Sequence, residues 1–363
     1  MELEKQNVLF FTRTMYLGGT ENVILQLCEI LKPHVNKIVV CSCGGVNVER
    51  LTAMGIKHYT IPDIEQKSPK VLLTVCKTLK KIVDTEHITT IHTHHRMAAF
   101  YVSLMKLYKK CRFINTSHNT FFSKKILTKF SYKNANLVAC GEMVKKNLVE
   151  YFGLPDRQVT VIHNTVKPFG DCPTPDKTIS SLHDNGCFVV GNIGRLSEQK
   201  GMEYYIKAVP ELVRKFPVMR FLIIGSGEDE QKLKQLCDEL NMNDYIIFMG
   251  YRNDIQNIMS QLDLVVLSSL WEGLPLTPIE AFSVSKTIVA TAVDGTVEVV
   301  TDGMNGFLVE PKNSRQIADK IEQLYQNDTR RASFEHNAFV TYENKFSFKQ
   351  FGTQYTEYYQ NIM

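Results

Sequence analysis

The chain has 363 residues, of which 44% are hydrophobic and 22% charged, with a formal net charge of +4. That length corresponds to about two domains, each able to bury its own core, and the composition excludes a disordered acidic or basic tail protein. No apolar run approaches the ~20 residues that span a bilayer, and MELEKQNVLFF lacks the basic, long-apolar and cleavage-site order of a secretory leader, so a cytoplasmic location is expected.

In chain order, NVLFF (7–11), KIVVCSC (37–43), ITTIHTH (88–94), RFINTSH (112–118), NLVACG (136–141) and VTVIHN (159–164) read as strands. Helix-like stretches such as ENVILQLCEIL and KVLLTVCKTLKKIVD lie between them, which predicts a parallel sheet covered on both faces. KPFGDCPTPDKTISSLHDNG follows with no apolar period and reads as a linker. The alternation restarts in FVVGNIGRL, RFLIIGSG, YIIFMGY, LDLVVLSS, TIVATAV and GFLVE, giving a second doubly wound α/β domain. Two such domains are expected to face one another across a cleft at their strand carboxyl ends. The tail KFSFKQFGTQYTEYYQNI spaces its aromatics as a helix does, for packing.

Charge divides unevenly. Residues 1–165 hold 23 Lys+Arg against 12 Asp+Glu, or +11, and the remainder holds 19 against 26, or −7. The basic half points to an anionic partner, and with no zinc-finger, helix-turn-helix or basic-aromatic sheet motif, nucleic acid is not expected. Lys124, Lys125, Lys129 and Lys133 alternate with Ile126, Leu127 and Phe130, a pattern that suits an anionic membrane surface as well as a solvated helix. The nine cysteines have no zinc or redox spacing and read as reduced thiols.

Several loops follow strands and carry candidate binding groups. Gly18, Gly19 and Thr20 open a helix whose N–H groups could meet an anion, with Thr20 also able to cap it. GRLSEQKG places Arg195 and Lys200 ahead of another helix, a setting suited to a diphosphate. Gly225 and Gly227 would allow close backbone approach to a ligand, and Tyr251 or Arg252 could lie against a planar base. In SLWEGLPLTPIEAF, Thr277, Pro278 and Glu280 fit a capped helix start. Glu272 has no evident folding role there, which favours Glu272 on sugar hydroxyls, Gly273 and Leu274 N–H groups on anionic oxygen, and Glu280 on a ribose.

Taken together, GRLSEQKG, IIGSGEDE, the Glu272–Glu280 pair and DGTVEVVTDGMNGFLVEP resemble the retaining glycosyltransferases of family 4, which have the GT-B fold of two Rossmann-like domains. LGGTENVI and VIHNTV extend the likeness through the first half. Thr165, Gly141 and Asp294–Val297 depart from the family pattern, outside the carboxylate pair. The resemblance implies residues 1–165 as the acceptor-side domain, 166–186 as linker, 187–344 as the nucleotide-sugar domain and 345–363 as a helix crossing back.

It also implies transfer of a sugar from a nucleotide diphosphate, with UDP expected, to a glycan or lipid-linked acceptor in surface polysaccharide synthesis. Arg195 and Lys200 would neutralise the leaving diphosphate, and a donor phosphate oxygen would take the acceptor proton, with no protein nucleophile. His118 matches a family histidine near the sugar, and His92, His94 and His95 fall at a strand end where the family often has His-x-His, without a metal. No Asp-x-Asp occurs in the sequence, so no cofactor is expected. A nucleotide-sugar epimerase and a noncatalytic nucleotide-sugar binder are the alternatives on the same scaffold.

Overall fold

The computed structural model describes residues 2–170 and 172–362. Met1, Asp171 and Met363, which fall in the expected first domain, linker and final helix, lie outside the described residues. The chain forms two compact units: one runs up to Asn164 and takes in the segment from Lys349 onward, and the other is Thr165–Phe348.

The first unit carries a seven-stranded parallel sheet of β1 (Asn7–Phe11), β2 (Lys37–Ser42), β3 (Lys57–Thr60), β4 (Thr90–Thr93), β5 (Arg112–Ser117), β6 (Asn136–Ala139) and β7 (Val159–Val161), ordered 3-2-1-4-5-6-7. β1 and β4 are wholly buried, and β5 and β6 are buried after their first residue, as strands covered on both faces must be. β3 is the strand that the apolar pattern does not announce; its residues KHYT lie at the sheet edge, all partly or fully exposed. The core joins Val8, Phe10, Ile24, Leu27 and Val40 to Phe351, Tyr355 and Tyr359 of the helix Phe348–Asn361. That helix also bonds to the sheet, since Gln6 donates to the Tyr359 carbonyl at 3.1 Å.

The second unit has six parallel strands, β8 (Phe188–Ile193), β9 (Met219–Ile224), β10 (Ile246–Gly250), β11 (Leu264–Leu267), β12 (Ile288–Thr291) and β13 (Gly306–Val309), ordered 10-9-8-11-12-13. Its core packs Val190, Phe221, Ile223 and Val266 against Tyr205, Ile206 and Leu212 of the helix Met202–Lys215. The stretch read as linker contains a helix, Lys177–Asp184, started by Asp176, whose Oδ1 accepts from the N–H groups of Thr178 and Ile179.

In both sheets the strand order reverses beside the first strand, between β1 and β4 and between β8 and β11. Loops leaving those strands at their carboxyl ends diverge and leave a crevice, the usual ligand position in open α/β sheets. Gly18 and Gly19 follow β1, Arg195 and Lys200 follow β8, and Glu272, Gly273 and Leu274 follow β11; Gly225 and Gly227 follow β9, Tyr251 and Arg252 follow β10, His118 follows β5, and Glu280 lies in the helix after the β11 loop. Among the described residues no helix is long and apolar enough to cross a membrane.

Candidate donor and acceptor sites

In the second unit, the loops after β8 and β11 are laced together. Leu270 N–H donates to the Gln199 carbonyl, Gln199 Nε2 to the Trp271 carbonyl, and Ser268 Oγ, itself bonded by Asn192, to the Lys200 carbonyl. Gly201 turns the first loop into its helix with φ of 54°, and a Cβ there would come within 2.3 Å of the Ser268 carbonyl, so only glycine fits. This lacing sets Lys200 Nζ 2.6 Å from Glu272 Oε1, an oxygen that also accepts from Ser269 Oγ at 2.6 Å. The pair is largely withdrawn from water, with the Lys200 side chain 18% and that of Glu272 7% exposed. Glu272 therefore has a folding role, contrary to the sequence reading: it is the counter-charge of a desolvated lysine.

Glu280 differs. It sits in the helix Leu276–Ser283 and its carboxylate has no hydrogen-bond partner among the described residues. Burial pushes its carboxyl up to about 7, while the charge of Lys200 pulls the other way. The N–H groups of Gly273 and Leu274, just before that helix, likewise have no acceptor among the described residues. A lysine from the loop after β8, a paired carboxylate and two open N–H groups from the loop after β11, and an unpaired carboxylate from the helix that follows are thus held in one region of the second unit.

The expected capping box is corrected. The helix begins at Leu276 after Pro275, with no side chain capping it, so Thr277 is already inside the first turn and Glu280 closes no box. Extended Pro275 opens the helix two residues earlier than a Thr277 cap would.

Other residues stand apart from this group. Arg195 is 72% exposed and paired with Glu228 at 3.1 Å. Gly225 and Gly227 do permit a close approach, but of protein to protein: added Cβ atoms would lie 1.9 Å from the Gly194 carbonyl and 2.2 Å from that of Leu196. Tyr251 is exposed. Arg252 commits its fork to Asp254 and to Asp176 at 2.8 Å, tying β10's loop to the helix start at 177 rather than offering a free guanidinium. Sequence reading missed Ser269 and Asp294, whose Oδ2 accepts from Glu272 N–H at 3.4 Å; their proximity to Glu272 in the fold was the only available signal, since single small polar residues carry no pattern.

In the first unit, β4 and β5 end in a layer of imidazoles. His94 and His118 stack with centroids 5.3 Å apart and share a hydrogen bond between Nδ1 and Nε2 of 3.0 Å. His92 lies 4.3 Å from His94, bonded to Tyr359 OH at 2.8 Å and to Thr116 Oγ1 at 2.7 Å. Burial holds all three neutral, with His118 down to about 4 and the other two well below the usual imidazole value. Burial likewise lowers His95, against the pull of Glu65. Among the described residues no group of histidine, cysteine or acid side chains is arranged to hold a metal ion.

Gly18 and Gly19 do open the helix Gly19–Leu31, but Thr20 does not cap it; instead the Glu21 carboxylate, bonded by Thr14 Oγ1, lies over that turn and already answers the helix dipole. Lys124, Lys125, Lys129 and Lys133 are all exposed along the helix Lys125–Tyr132.

Fold and site define a two-unit glycosyltransferase scaffold. Residues 175–340 match the family model for glycosyl transferases group 1, and residues 17–168 that for glycosyltransferase family 4. The chain belongs to the family 4, group 1 glycosyltransferases and has the GT-B fold. It is 24% identical over 344 residues to an uncharacterized glycosyltransferase of Methanocaldococcus jannaschii, covering 88% of this chain and 86% of that protein. It is 27% identical, over 81% of each chain, to the Escherichia coli UDP-Gal:alpha-D-GlcNAc-diphosphoundecaprenol alpha-1,3-galactosyltransferase. The solved structure of Anabaena HepE in complex with UDP superposes with a TM-score of 0.82 at 20% identity, covering 97% of this chain and 99% of that one.

Proposed function

We propose that the protein transfers a sugar from a UDP-sugar to a hydroxyl of a lipid-linked or other glycan acceptor in surface polysaccharide synthesis, with retention at the anomeric carbon. The observation that carries this reading is the buried Lys200–Glu272 pair, with the open N–H groups of Gly273 and Leu274 next to Glu272 in the chain and the unpaired, desolvated Glu280 within range of the Lys200 charge. Support for UDP and for a diphosphate-linked lipid comes from what the Escherichia coli relative uses, and for UDP also from the ligand of the Anabaena structure.

In this reading Lys200 and the two N–H groups receive the diphosphate, Glu272 and Glu280 accept from sugar and ribose hydroxyls, and Arg195 turns from Glu228 to the phosphates. The bond from C1 to the diphosphate oxygen breaks as the acceptor oxygen bonds to C1 on the same face. The acceptor proton passes to the departing phosphate oxygen, so UDP leaves with the balance of charge that Lys200 and Arg195 stabilise. His118, neutral, is assigned to a sugar hydroxyl. No step is given to a metal or cofactor. Lys124, Lys125, Lys129 and Lys133 are assigned to an anionic cytoplasmic membrane face.

The test incubates the protein with UDP-glucose, UDP-galactose and UDP-N-acetylglucosamine, with and without a polyprenyl-diphosphate sugar, and follows UDP release and product anomeric configuration by NMR. Acceptor-dependent release with an α-linked product from an α-linked donor is expected. An epimer formed from donor alone, or UDP-sugar binding without turnover on any acceptor, would overturn it.

A further inference from the structure

The helix Arg96–Leu104 begins at a polar pocket and runs along an apolar one. The polar pocket, 240 Å³, is lined by Arg96, His94, His118, Ser117, Asn119 and Ser123 among others, and none of its lining residues is an acid. Arg96 is half-buried, forms no ion pair among the described residues, and has an Nε that is shielded from water without a partner. Its remaining contacts are weak: Thr128 Oγ1 at 3.4 Å and the Phe121 ring 5.0 Å from its guanidinium carbon. The nearby imidazoles are held neutral by burial, so they add donors or acceptors but no charge. A cation at a helix N-terminus is also opposed by the helix dipole. A half-buried guanidinium kept without a counter-charge costs stability unless an anion supplies one.

One residue further along, the side chains change character. Met97, Phe100 and Tyr101 line a mostly apolar groove of 590 Å³ with Leu72, Leu127 and Lys124, its lining also including Glu65, Gln66, Lys67 and Ser68, within the ~300–1,000 Å³ of ordinary small-ligand sites. Across Phe100 and Leu127 this groove meets an outer apolar surface formed with Ile126 and Phe130, where Ile126 is 89% exposed. Phe100 and Phe130 pack with centroids 5.8 Å apart, so groove and surface are continuous. An isolated exposed isoleucine needs no explanation, but a mostly apolar groove that starts at the chain neighbours of a polar pocket, Met97 beside Arg96 and Lys124 beside Ser123, and opens onto an exposed apolar surface does.

We infer that this is a seat for one amphiphile, a lipid whose head carries phosphate: the phosphate on Arg96 with Ser117, Asn119 and Ser123, the chain along Met97, Phe100 and Leu127, leaving past Ile126 between the lysines. The inference rests on the lipid-linked acceptor of the proposed function and names the residues that would hold it.

Calorimetry with dodecyl phosphate, dodecyl maltoside and inorganic pyrophosphate, each below any micelle concentration, tests it on the whole protein, with UDP as the reference ligand. Wild type is expected to bind dodecyl phosphate about tenfold tighter than dodecyl maltoside, the scale of a hydrogen-bonded charge. Arg96→Ala should erase that preference without changing maltoside binding, and Arg96→Lys should restore part of it. Leu127→Asp should weaken both amphiphiles; Ile126→Asp, at a fully surfaced position, should act in the same direction without touching the core. UDP affinity should hold in all four variants.

Equal binding of the two amphiphiles, indifference to Arg96→Ala, or flotation with anionic vesicles that dodecyl phosphate neither joins nor competes with would each overturn the seat. Dodecyl phosphate binding with no UDP binding would instead break the donor reading and leave the seat standing.

Discussion

The two units place polar groups at the ends of similar sheets by opposite means. The second uses charge: a lysine and a glutamate, both mostly buried, hold two loops in register, and another carboxylate is left unpaired beside them. The first uses neutral rings: His92, His94 and His118 stack and hydrogen-bond while burial suppresses their protonation. Under the proposed function, charges suit the diphosphate, because an electrostatic site is already oriented before its ligand arrives. A neutral layer suits hydroxyls, which need donors and acceptors but would gain little from a fixed charge.

The sharpest way to break this contrast is Lys200→Met. It strands the Glu272 carboxylate, and loss of one partner of a buried pair costs about 3–5 kcal/mol, so a loss of stability accompanies the loss of activity. Turnover should fall about 10²–10³-fold. Denaturant unfolding of Lys200→Met, Glu272→Gln and the double variant checks it: the double should regain much of the stability and none of the activity. Additive losses in the double would show that the pair is not coupled.

Next comes Gly201→Ala, where φ of 54° and the Ser268 carbonyl leave no room for a methyl group. A loss of about 1–3 kcal/mol is expected, with weakened UDP-sugar binding because Lys200 is the preceding residue. Unchanged affinity would separate loop geometry from the donor site.

Glu280→Gln sharpens the comparison through pH. The folded carboxyl sits at about 7, above its ordinary value, so the proton is favoured by the fold. The stability this contributes is fully present below the ordinary carboxylate range and is lost as pH rises through about 7. Glu280→Gln should therefore melt higher than wild type at pH 8 and level with it at pH 4. Ligand hydroxyls prefer the ionised form, so wild-type affinity for a UDP-sugar should rise through pH 7, while the variant's profile is flat. Parallel profiles would remove Glu280 from the ligand.

The smallest effect on UDP affinity is expected from Tyr359→Phe, which removes the hydrogen bond between the Tyr359 hydroxyl and His92 Nδ1 in the neutral layer. It should cost about 1–3 kcal/mol with UDP affinity unchanged. A fall in UDP affinity would mean that the two chemistries are not separable.

Most strands were legible because both sheets are parallel and covered, so each strand is a short apolar run. β3 was not, since KHYT is an exposed edge strand with nothing to bury. The helix at 177–184 was hidden in a segment whose Ser, Asp and Lys content reads as loop, although Asp176 supplies a strong start signal. The candidate residues that the fold brings together were legible where chain neighbours carry the pattern, as at Lys200 and at Glu272 with Glu280. Their states were not. That Glu272 is neutralised and Glu280 stranded depends on loops 72 residues apart meeting, and the bond from Tyr359 to His92 spans 267 residues. Spacing along a chain carries no record of such meetings. The exposure of Arg195 and the commitment of Arg252 to Asp176 and Asp254 belong to the same class.

The helix Phe348–Asn361 has a consequence for biosynthesis. Its tyrosines close the imidazole layer of a sheet whose strands were all synthesised before Thr165, so while the ribosome makes the intervening unit, His92 and Thr116 wait without their phenol partners. Domains tend to fold in order of emergence, and here the earlier one is finished last, so the histidine layer gains its braces only after the second unit has been made.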